Sequence, residues 1–149
     1  MEDKKLEDIP CTCPKILYAD DDVFNLFTME NFIKGFGLTM TKAYNGKEAI
    51  DIIKKRSSHK CSKECQMFKF IFMDLSMPVM DGFESTIELK KMMAANKIPQ
   101  IPIIACTAFV GDDKTEKCYQ VGMQGRISKP VSKNKVYELL KTYNVLPTE

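Results

Sequence analysis

Short apolar runs alternate with amphipathic segments along most of the chain. The run Ile16–Ala19 ends abruptly in three acidic residues, which is typical of a buried strand that reaches a polar edge. Apolar residues then recur three or four positions apart at Leu26, Met29, Ile33 and Phe36, which predicts an amphipathic helix. This succession of strand and helix is repeated until it has occurred five times.

The later strands and helices follow from the same patterns. The predicted strands are Leu38–Tyr44, Phe68–Met73, Ile103–Cys106 and Arg126–Ser128, and the predicted helices lie around Ala49–Ile53, from Phe83 to about Ala95, over Asp112–Gln120 and around Val136–Tyr143. Buried strands that alternate with helices imply a parallel sheet covered on both faces. We therefore expect an α/β fold of the flavodoxin-like, doubly wound (βα)5 type, with five strands in the order 2-1-3-4-5.

The length of the chain bounds its organisation. A chain of 149 residues is the size of one domain with short additions. Residues 1–13 are charged and lack periodicity, which indicates a tail or linker, and residues 145–149 form a C-terminal tail. The domain itself is predicted over 14–144, with a polar, cysteine-bearing loop inserted at 57–67.

Charge and composition exclude several classes of function. The 22 basic and 20 acidic residues give a net charge of +2, which is too balanced for nucleic-acid binding by bulk electrostatics. No apolar run approaches the ~20 residues of a membrane helix. The polar start of the chain is not a secretory signal, so we expect six reduced cysteines and a cytoplasmic location.

Polar residues stand where the predicted strands end. Asp20 and Asp21 follow the first strand, Asp74 the third, Thr107 the fourth and Lys129 the fifth. Ligands of doubly wound sheets bind beyond the carboxyl ends of the strands, and the first and third strands are neighbours there. We therefore expect these five side chains to converge in one crevice.

Such a group is suited to phosphoryl chemistry. Clustered carboxylates repel one another, and a hard cation such as Mg²⁺ relieves that repulsion. A carboxylate can also attack phosphorus and form an aspartyl phosphate. Lys129 and Thr107 would supply positive charge and a hydrogen bond to the phosphoryl oxygens. The pattern therefore predicts that Asp74 accepts a phosphoryl group.

Four segments resemble one known family. ILYADDD (16–22), FIFMDLSMPVMDG (70–82), IPIIACTAF (101–109) and ISKP (127–130) are similar, in order and position, to the motifs of response-regulator receiver domains. The resemblance covers nearly the whole chain, about residues 14–144.

The resemblance implies a role for each site residue. It makes Asp74 the phosphoacceptor, Thr107 the hydroxyl residue that moves onto the phosphoryl group, and Lys129 its charge partner. It also implies a Mg²⁺ site, and a cis bond before Pro130. The implied metal ligands are Asp20, Asp21, Asp74 and the backbone carbonyl of Ser76.

The implied function is a phosphorylation-operated switch. A histidine kinase or a histidine phosphotransfer domain would donate the phosphoryl group, and the face formed by the fourth helix, fifth strand and fifth helix would change its affinity for partners. Direct contact with nucleic acid or membrane is not expected. The domain would be no stand-alone enzyme beyond its own phosphotransfer and dephosphorylation, although a parent hybrid histidine kinase would be a transferase.

Two details bear on the branch of the family. Asn25 and the sequence of the Asp74 segment resemble those of receivers in eukaryotic hybrid sensor histidine kinases. The sequence is compatible with a receiver excised from such a kinase and with a single-domain regulator. At the position three residues before Lys129, where the family often has an aromatic switch residue, this chain has Arg126 and so departs from the family pattern.

Two other functions compete with this interpretation. A pseudo-receiver would be a protein-interaction module without a phosphorylation cycle, but such modules usually lose the acidic residues. A haloacid-dehalogenase-like phosphatase also uses an Asp nucleophile, Mg²⁺ and a Lys. That class expects a second acid two residues after the nucleophile, where this chain has Ser76.

Some residues also have simpler interpretations. Asp22 is suited to capping a helix, Asp81 and Gly82 to forming the turn that starts the third helix, and Cys106 to filling the core. A zinc site is an alternative for the cysteine-bearing segments, although its ligand spacing is loose and surface thiols are the simpler interpretation. The candidate zinc ligands are Cys11, Cys13, His59, Cys61 and Cys65.

Overall fold

A computed structural model describes residues 11–58, 67–108 and 111–147. Strands and helices alternate five times, as predicted. The elements in chain order are β1 (Ile16–Ala19), α1 (Val23–Gly35), β2 (Met40–Ala43), α2 (Gly46–Ser58), β3 (Phe70–Asp74), α3 (Gly82–Ala94), β4 (Ile103–Thr107), α4 (Asp112–Val121), β5 (Gly125–Ser128) and α5 (Lys133–Thr142).

The five strands form one parallel sheet in the order β2-β1-β3-β4-β5. The predicted flavodoxin-like fold and strand order are therefore confirmed. Within the described ranges, no helix is both long enough and apolar enough to cross a lipid bilayer.

Alternation along the strands supplies a core on each face of the sheet. Leu17 and Ile71 pack on one face with α2, α3 and α4, whereas Ile16 and Phe70 pack on the other with α1 and α5. All four residues are fully buried. Two apolar layers thus hold the sheet rigidly, so the residues at its carboxyl edge have a fixed scaffold.

Four predicted strands have different limits in the structure. The fourth ends one residue later, at Thr107, and the fifth begins one residue earlier, at Gly125. The second and third differ more. Leu38 was expected in β2, but its backbone N–H donates to the Ile33 carbonyl at 3.1 Å and closes the end of α1. Gly37, with φ of 79°, makes the turn that this closure requires. The third strand begins at Phe70 rather than Phe68 and extends by one residue to Asp74.

The predicted additions to the domain are only partly described. Ser57 and Ser58 belong to the last turn of α2, although the inserted loop was expected to begin at 57. The remainder of that loop over 59–66 lies outside the described residues. In the predicted C-terminal tail, Val145 is buried and Leu146 packs against the α1–α5 side of the core.

The loop that follows β3 is folded tightly against the strand end. The Gly82 N–H donates to the Leu75 carbonyl at 3.2 Å. A Cβ atom at Gly82 would lie 2.2 Å from the Asp74 carbonyl oxygen, so no other residue fits there without a backbone shift. Asp81 then caps the start of α3 by accepting a hydrogen bond from the Glu84 N–H at 2.9 Å, at the place where a turn was predicted to start this helix.

Candidate functional site: an acidic crevice at the carboxyl edge of the sheet

The strand ends carry the predicted site residues to one edge of the sheet. Asp20 follows β1 directly, Asp74 and Thr107 are the last residues of β3 and β4, and Lys129 follows β5. Because all five strands are parallel, these positions share one edge. We call the pocket formed there by Asp20, Asp21, Asp74 and Lys129 the acidic crevice.

Asp20 is completely buried, yet it has several hydrogen-bond donors. Its Oδ1 accepts from the Asp22 N–H at 2.9 Å. Its Oδ2 accepts from the Tyr18 hydroxyl at 2.5 Å and from the Asn25 amide at 3.2 Å. A buried carboxylate is costly unless it is paired, so these donors and Lys129 are what make its burial tolerable.

Lys129 bridges two carboxylates in the crevice. Its Nζ lies 2.8 Å from Asp20 Oδ2 and 3.1 Å from Asp74 Oδ1. Burial disfavours the charged ammonium, but the hydrogen bond to Asp20 and the charges of Asp74 and Asp20 outweigh it and raise the pKa of Lys129. The backbone N–H of Lys129 donates to the Thr107 carbonyl at 2.9 Å, which ties the end of β4 to this lysine.

Asp74 is an ionisable carboxyl group that is held in a buried position. Burial raises its pKa from 3.8 to about 6, and the charge of Asp20 contributes in the same direction. Lys129 and the backbone N–H of Ser76 stabilise the charged form and oppose the rise. Most Asp74 side chains are therefore charged at neutral pH and able to act as a nucleophile.

The acidic cluster fits a hard divalent cation. Carboxylate oxygens of Asp20, Asp21 and Asp74 all lie within 4.8 Å of one another. Asp21 is exposed whereas the other two are buried, so the cluster opens toward solvent on one side. Oxygen donors of this kind, with room for water, are what Mg²⁺ prefers. These three side chains could hold the ion between them.

The remaining predicted residues lie around the same edge. Thr107 is buried, and Cys106, its predecessor, pairs with Asp74 across the sheet. Ser76 is exposed and contributes its N–H to Asp74; the expected role of its carbonyl as a metal ligand stays a prediction. The predicted cis peptide bond between Lys129 and Pro130 is present.

Arg126 lies in β5 opposite Ala105. Burial raises the pKa of the Cys118 thiol on α4, and the charge of Arg126 partly offsets that rise. The residue at the usual aromatic position is therefore a cation close enough to α4 to affect a thiol on that helix. Cys106 is fully buried in the core, as predicted.

The zinc hypothesis involves residues only some of which are described. Cys11 and Cys13 are half-buried, and the Cys11 Sγ accepts a hydrogen bond from Lys15 Nζ at 3.5 Å. His59, Cys61 and Cys65 lie outside the described residues. Within the described ranges, the group that could hold a metal ion is the carboxylate cluster of the acidic crevice.

Tyr18 is the site residue that sequence reasoning missed. It was assigned to the core as part of an apolar strand, and it is fully buried. Two signals could have identified its second role. A buried tyrosine needs a partner for its hydroxyl, and the residue two positions later on a strand, here Asp20, lies on the same face.

Comparison with known proteins agrees with this geometry. The model of the response regulator receiver domain family matches residues 16–141. The osmosensing histidine protein kinase SLN1 of Saccharomyces cerevisiae is 32% identical over 133 residues, which are 89% of this chain and 10% of that protein. The chain spans only 6–16% of the length of the curated relatives that it matches.

Solved structures show the same fold. The Mg²⁺-complexed receiver domain of the Arabidopsis thaliana histidine kinase CKI1 is 27% identical, with a TM-score of 0.73 over 87% of this chain and 90% of that one. A second similar structure is the co-crystal of the Saccharomyces cerevisiae Ssk1 receiver domain with the histidine phosphotransfer protein Ypd1. Its sequence identity to this chain is 24% and its TM-score is 0.74, over 87% of this chain and 89% of that one. With its crevice, strand order and family match, the chain belongs to the response regulator receiver domains of two-component phosphorelay signalling.

Proposed function

We propose that the domain accepts a phosphoryl group from a phosphohistidine on Asp74. The observation that carries this proposal is the convergence of an ionisable, buried Asp74 with two further carboxylates and the Lys129 ammonium. An Asp74 oxygen forms a bond to phosphorus while the bond between phosphorus and the imidazole nitrogen breaks. The imidazole keeps the electron pair of that bond and takes up a proton.

The residues around the crevice have different roles in the phosphoryl transfer. Asp20, Asp21 and Asp74 would hold Mg²⁺, which when bound offsets the negative charge of the phosphoryl oxygens. Lys129, 3.1 Å from Asp74, is close enough to turn from the carboxylate to a phosphoryl oxygen. Thr107, at the neighbouring strand end, would donate its hydroxyl to another. These interactions strengthen as negative charge develops, so they favour the transfer.

A protein donor is supported by the surface beside the crevice. Val23, Phe24, Phe27 and Tyr44 are 59%, 77%, 61% and 45% exposed, and we call them the apolar rim. Three of them lie on the first two turns of α1, directly after the Asp20–Asp22 segment, and Tyr44 follows β2 at the same edge. Exposed aromatic residues in a cluster mark a surface that binds protein.

We infer that this partner is a histidine phosphotransfer protein or domain. Any donor that brings phosphohistidine to Asp74 must cover the edge of the sheet on which the apolar rim lies. The likeness to the Ssk1 receiver, which was crystallised with Ypd1, supports the same class of partner. The similarity to hybrid kinases supports a parent protein of that kind.

Phosphorylation would then bias an existing equilibrium of the domain. Capture of Lys129 and Thr107 by the phosphoryl group would pull on the ends of β5 and β4. The face made by α4, β5 and α5 would change its affinity for partners. Arg126, whose charge reaches Cys118 on α4, lies on this route.

The test is labelling by a small phosphodonor. Wild-type protein should take up label from acetyl phosphate in Mg²⁺, whereas Asp74→Asn should take up less than about 1% as much, because an amide is not a nucleophile toward phosphorus. Asp113→Asn, which alters an exposed acid on α4, is the matched control and should label normally. Equal labelling of wild type and Asp74→Asn would refute the assignment. No label on the wild type would favour the pseudo-receiver.

A further inference from the structure

Tyr18 lies beneath the acidic crevice, at a place where only apolar packing was expected. Its side chain is fully buried between the strands and α1. Its ring meets the Phe72 ring edge-on, with centroids 6.0 Å apart and planes at 79°. This packing leaves the ring little freedom, so the position of its hydroxyl is fixed by the core.

The hydroxyl of Tyr18 makes a buried hydrogen bond to the Asp20 carboxylate. It donates to Asp20 Oδ2 at 2.5 Å, a distance typical of a strong hydrogen bond to a charged acceptor. Burial is the largest cause that raises the pKa of this hydroxyl, so Tyr18 stays protonated at neutral pH.

Asp20 shares its other strong donor with Asp74. Lys129 lies between the two carboxylates, at 2.8 Å and 3.1 Å, so any movement of Lys129 toward a group on Asp74 weakens its hold on Asp20. Asn25 is a more distant donor at 3.2 Å. Tyr18 is therefore the donor on Oδ2 that is both close and independent of Asp74.

We propose that Tyr18 is a positioning residue for the metal site: its hydroxyl holds the Asp20 carboxylate in the orientation that binds Mg²⁺. A carboxylate held in advance loses less freedom when the ion binds, and partners of metal ligands commonly change metal affinity by 10–100-fold when they are removed. Tyr18 itself does not contact the ion or the phosphoryl group. The proposal deepens the proposed function, but it concerns Mg²⁺ binding and can be tested without phosphorylation.

The test compares Mg²⁺ binding by calorimetry in wild type, Tyr18→Phe and Tyr143→Phe. Tyr18→Phe keeps the ring and removes only the hydroxyl. Tyr143→Phe removes a hydroxyl from the same apolar layer, where its ring packs 5.3 Å from that of Phe70, far from Asp20 along the sheet. We expect the dissociation constant to rise about tenfold in Tyr18→Phe, and to stay within about twofold of wild type in Tyr143→Phe.

A purely structural role for Tyr18 predicts a different result. The melting temperature of Tyr18→Phe would then fall while its Mg²⁺ affinity stayed equal to that of wild type, and this outcome would overturn the proposal. Tighter Mg²⁺ binding by Tyr18→Phe, or no Mg²⁺ binding by wild type, would also overturn it. Loss of labelling in Asp74→Asn tests the proposed function separately, because it reports on the nucleophile, whereas Tyr18→Phe changes only the affinity for Mg²⁺ and keeps Asp74.

A second measurement keeps the proposal testable if Tyr18→Phe does not fold. The measurement uses protein labelled with ¹³C at tyrosine Cζ. The substitution Tyr44→Phe removes the exposed tyrosine nearest the crevice, so four tyrosine signals remain. The signal of the fully buried tyrosine should move during Mg²⁺ titration, because the cation draws charge from the acceptor of its hydrogen bond. A buried-tyrosine signal that does not respond to saturating Mg²⁺ would contradict the proposal.

Discussion

The acidic crevice and the groove between α2 and α3 contain similar numbers of charged side chains but differ in how those charges are held. We call the groove between α2 and α3 the lysine groove. It is lined by Ile50, Lys54, Ser57, Glu88, Lys91, Met92, Ala95 and Lys97. Its ion pair, Lys91 with Glu88, spans 3.5 Å between side chains that are 70% and 50% exposed. In the crevice, Lys129 and Asp20 lie 2.8 Å apart and are 17% and 0% exposed.

This difference separates a site from a solvated surface. Water and salt screen the pair in the lysine groove, and exposed pairs contribute about 0–1 kcal/mol to stability. In the crevice, burial raises the pKa of Asp74, and Lys129 bridges two buried carboxylates that stand at the ends of different strands. Charged residues are present in both regions. The crevice is the reactive site because its charged groups are buried and held in place by their neighbours.

The largest effect should come from removing the bridging lysine. Lys129→Ala should slow phosphorylation of Asp74 by at least about 100-fold, since one lost donor to developing phosphoryl charge costs that much in comparable sites. Lys91→Ala, in the lysine groove, should leave the rate within about twofold of wild type. Both rates are measured by labelling with acetyl phosphate and Mg²⁺, with the reaction stopped at a series of times. Similar rates for Lys129→Ala and Lys91→Ala would remove the distinction between the two regions.

The apolar rim should matter only when the donor is a protein. The double variant Phe24→Ser/Phe27→Ser should receive phosphoryl from a histidine phosphotransfer protein about tenfold more slowly, which corresponds to the loss of a modest hot spot. Its rate with acetyl phosphate should stay unchanged, because both side chains point to solvent. Ile87→Ser, an exposed apolar position on α3, is the control. A slower rate with both donors would show damage to the crevice instead.

A smaller effect concerns the stability of the metal-free protein. Since the folded-state pKa of Asp74 is raised from 3.8 to about 6, the folded state holds the proton more tightly, and Asp74 lowers stability as the pH rises through that window. Asp74→Asn should therefore be more stable than wild type at pH 7 without Mg²⁺. The net shift, which already includes the attraction of Lys129, caps this gain at about 3 kcal/mol, and screening by solvent on the open side of the crevice makes it smaller.

Urea unfolding in a chelator at pH 7 and at about pH 3.5 measures this effect. The gain should shrink at the lower pH, where the carboxyl group is protonated in the folded state. Asp113→Asn provides the comparison for an exposed acid. A gain of equal size at both pH values, or a loss of stability at pH 7, would show that the buried charge of Asp74 is not the cause.

The strand order and the crevice could be predicted because both follow from strong local patterns. Runs such as Ile16–Ala19 that end in acids mark buried strands and the edge that they reach, and parallel pairing then brings Asp20, Asp74 and Lys129 together. The limits of β2 and β3 could not be predicted, because they depend on which neighbour takes a backbone N–H. The N–H of Leu38 closes α1 instead of pairing in the sheet.

The part played by Tyr18 shows a second limit of sequence patterns. Hydrophobic periodicity assigns a tyrosine in an apolar strand to the core, and that assignment is correct for its ring. The partner of its hydroxyl depends on a side-chain rotamer and on the direction of its neighbour. The same-face position of Asp20 makes it a candidate partner, and the folded arrangement shows that the hydroxyl does donate to it.

The central claim is tested most directly by locating the phosphoryl group chemically. Wild-type protein would be phosphorylated by a phosphohistidine donor with Mg²⁺, reduced with borohydride, which converts an aspartyl phosphate to homoserine, and mapped by mass spectrometry. We predict homoserine at position 74 and at no other acidic residue. Homoserine at Asp20 or Asp21, or a labelled protein with an unmodified Asp74, would contradict the account.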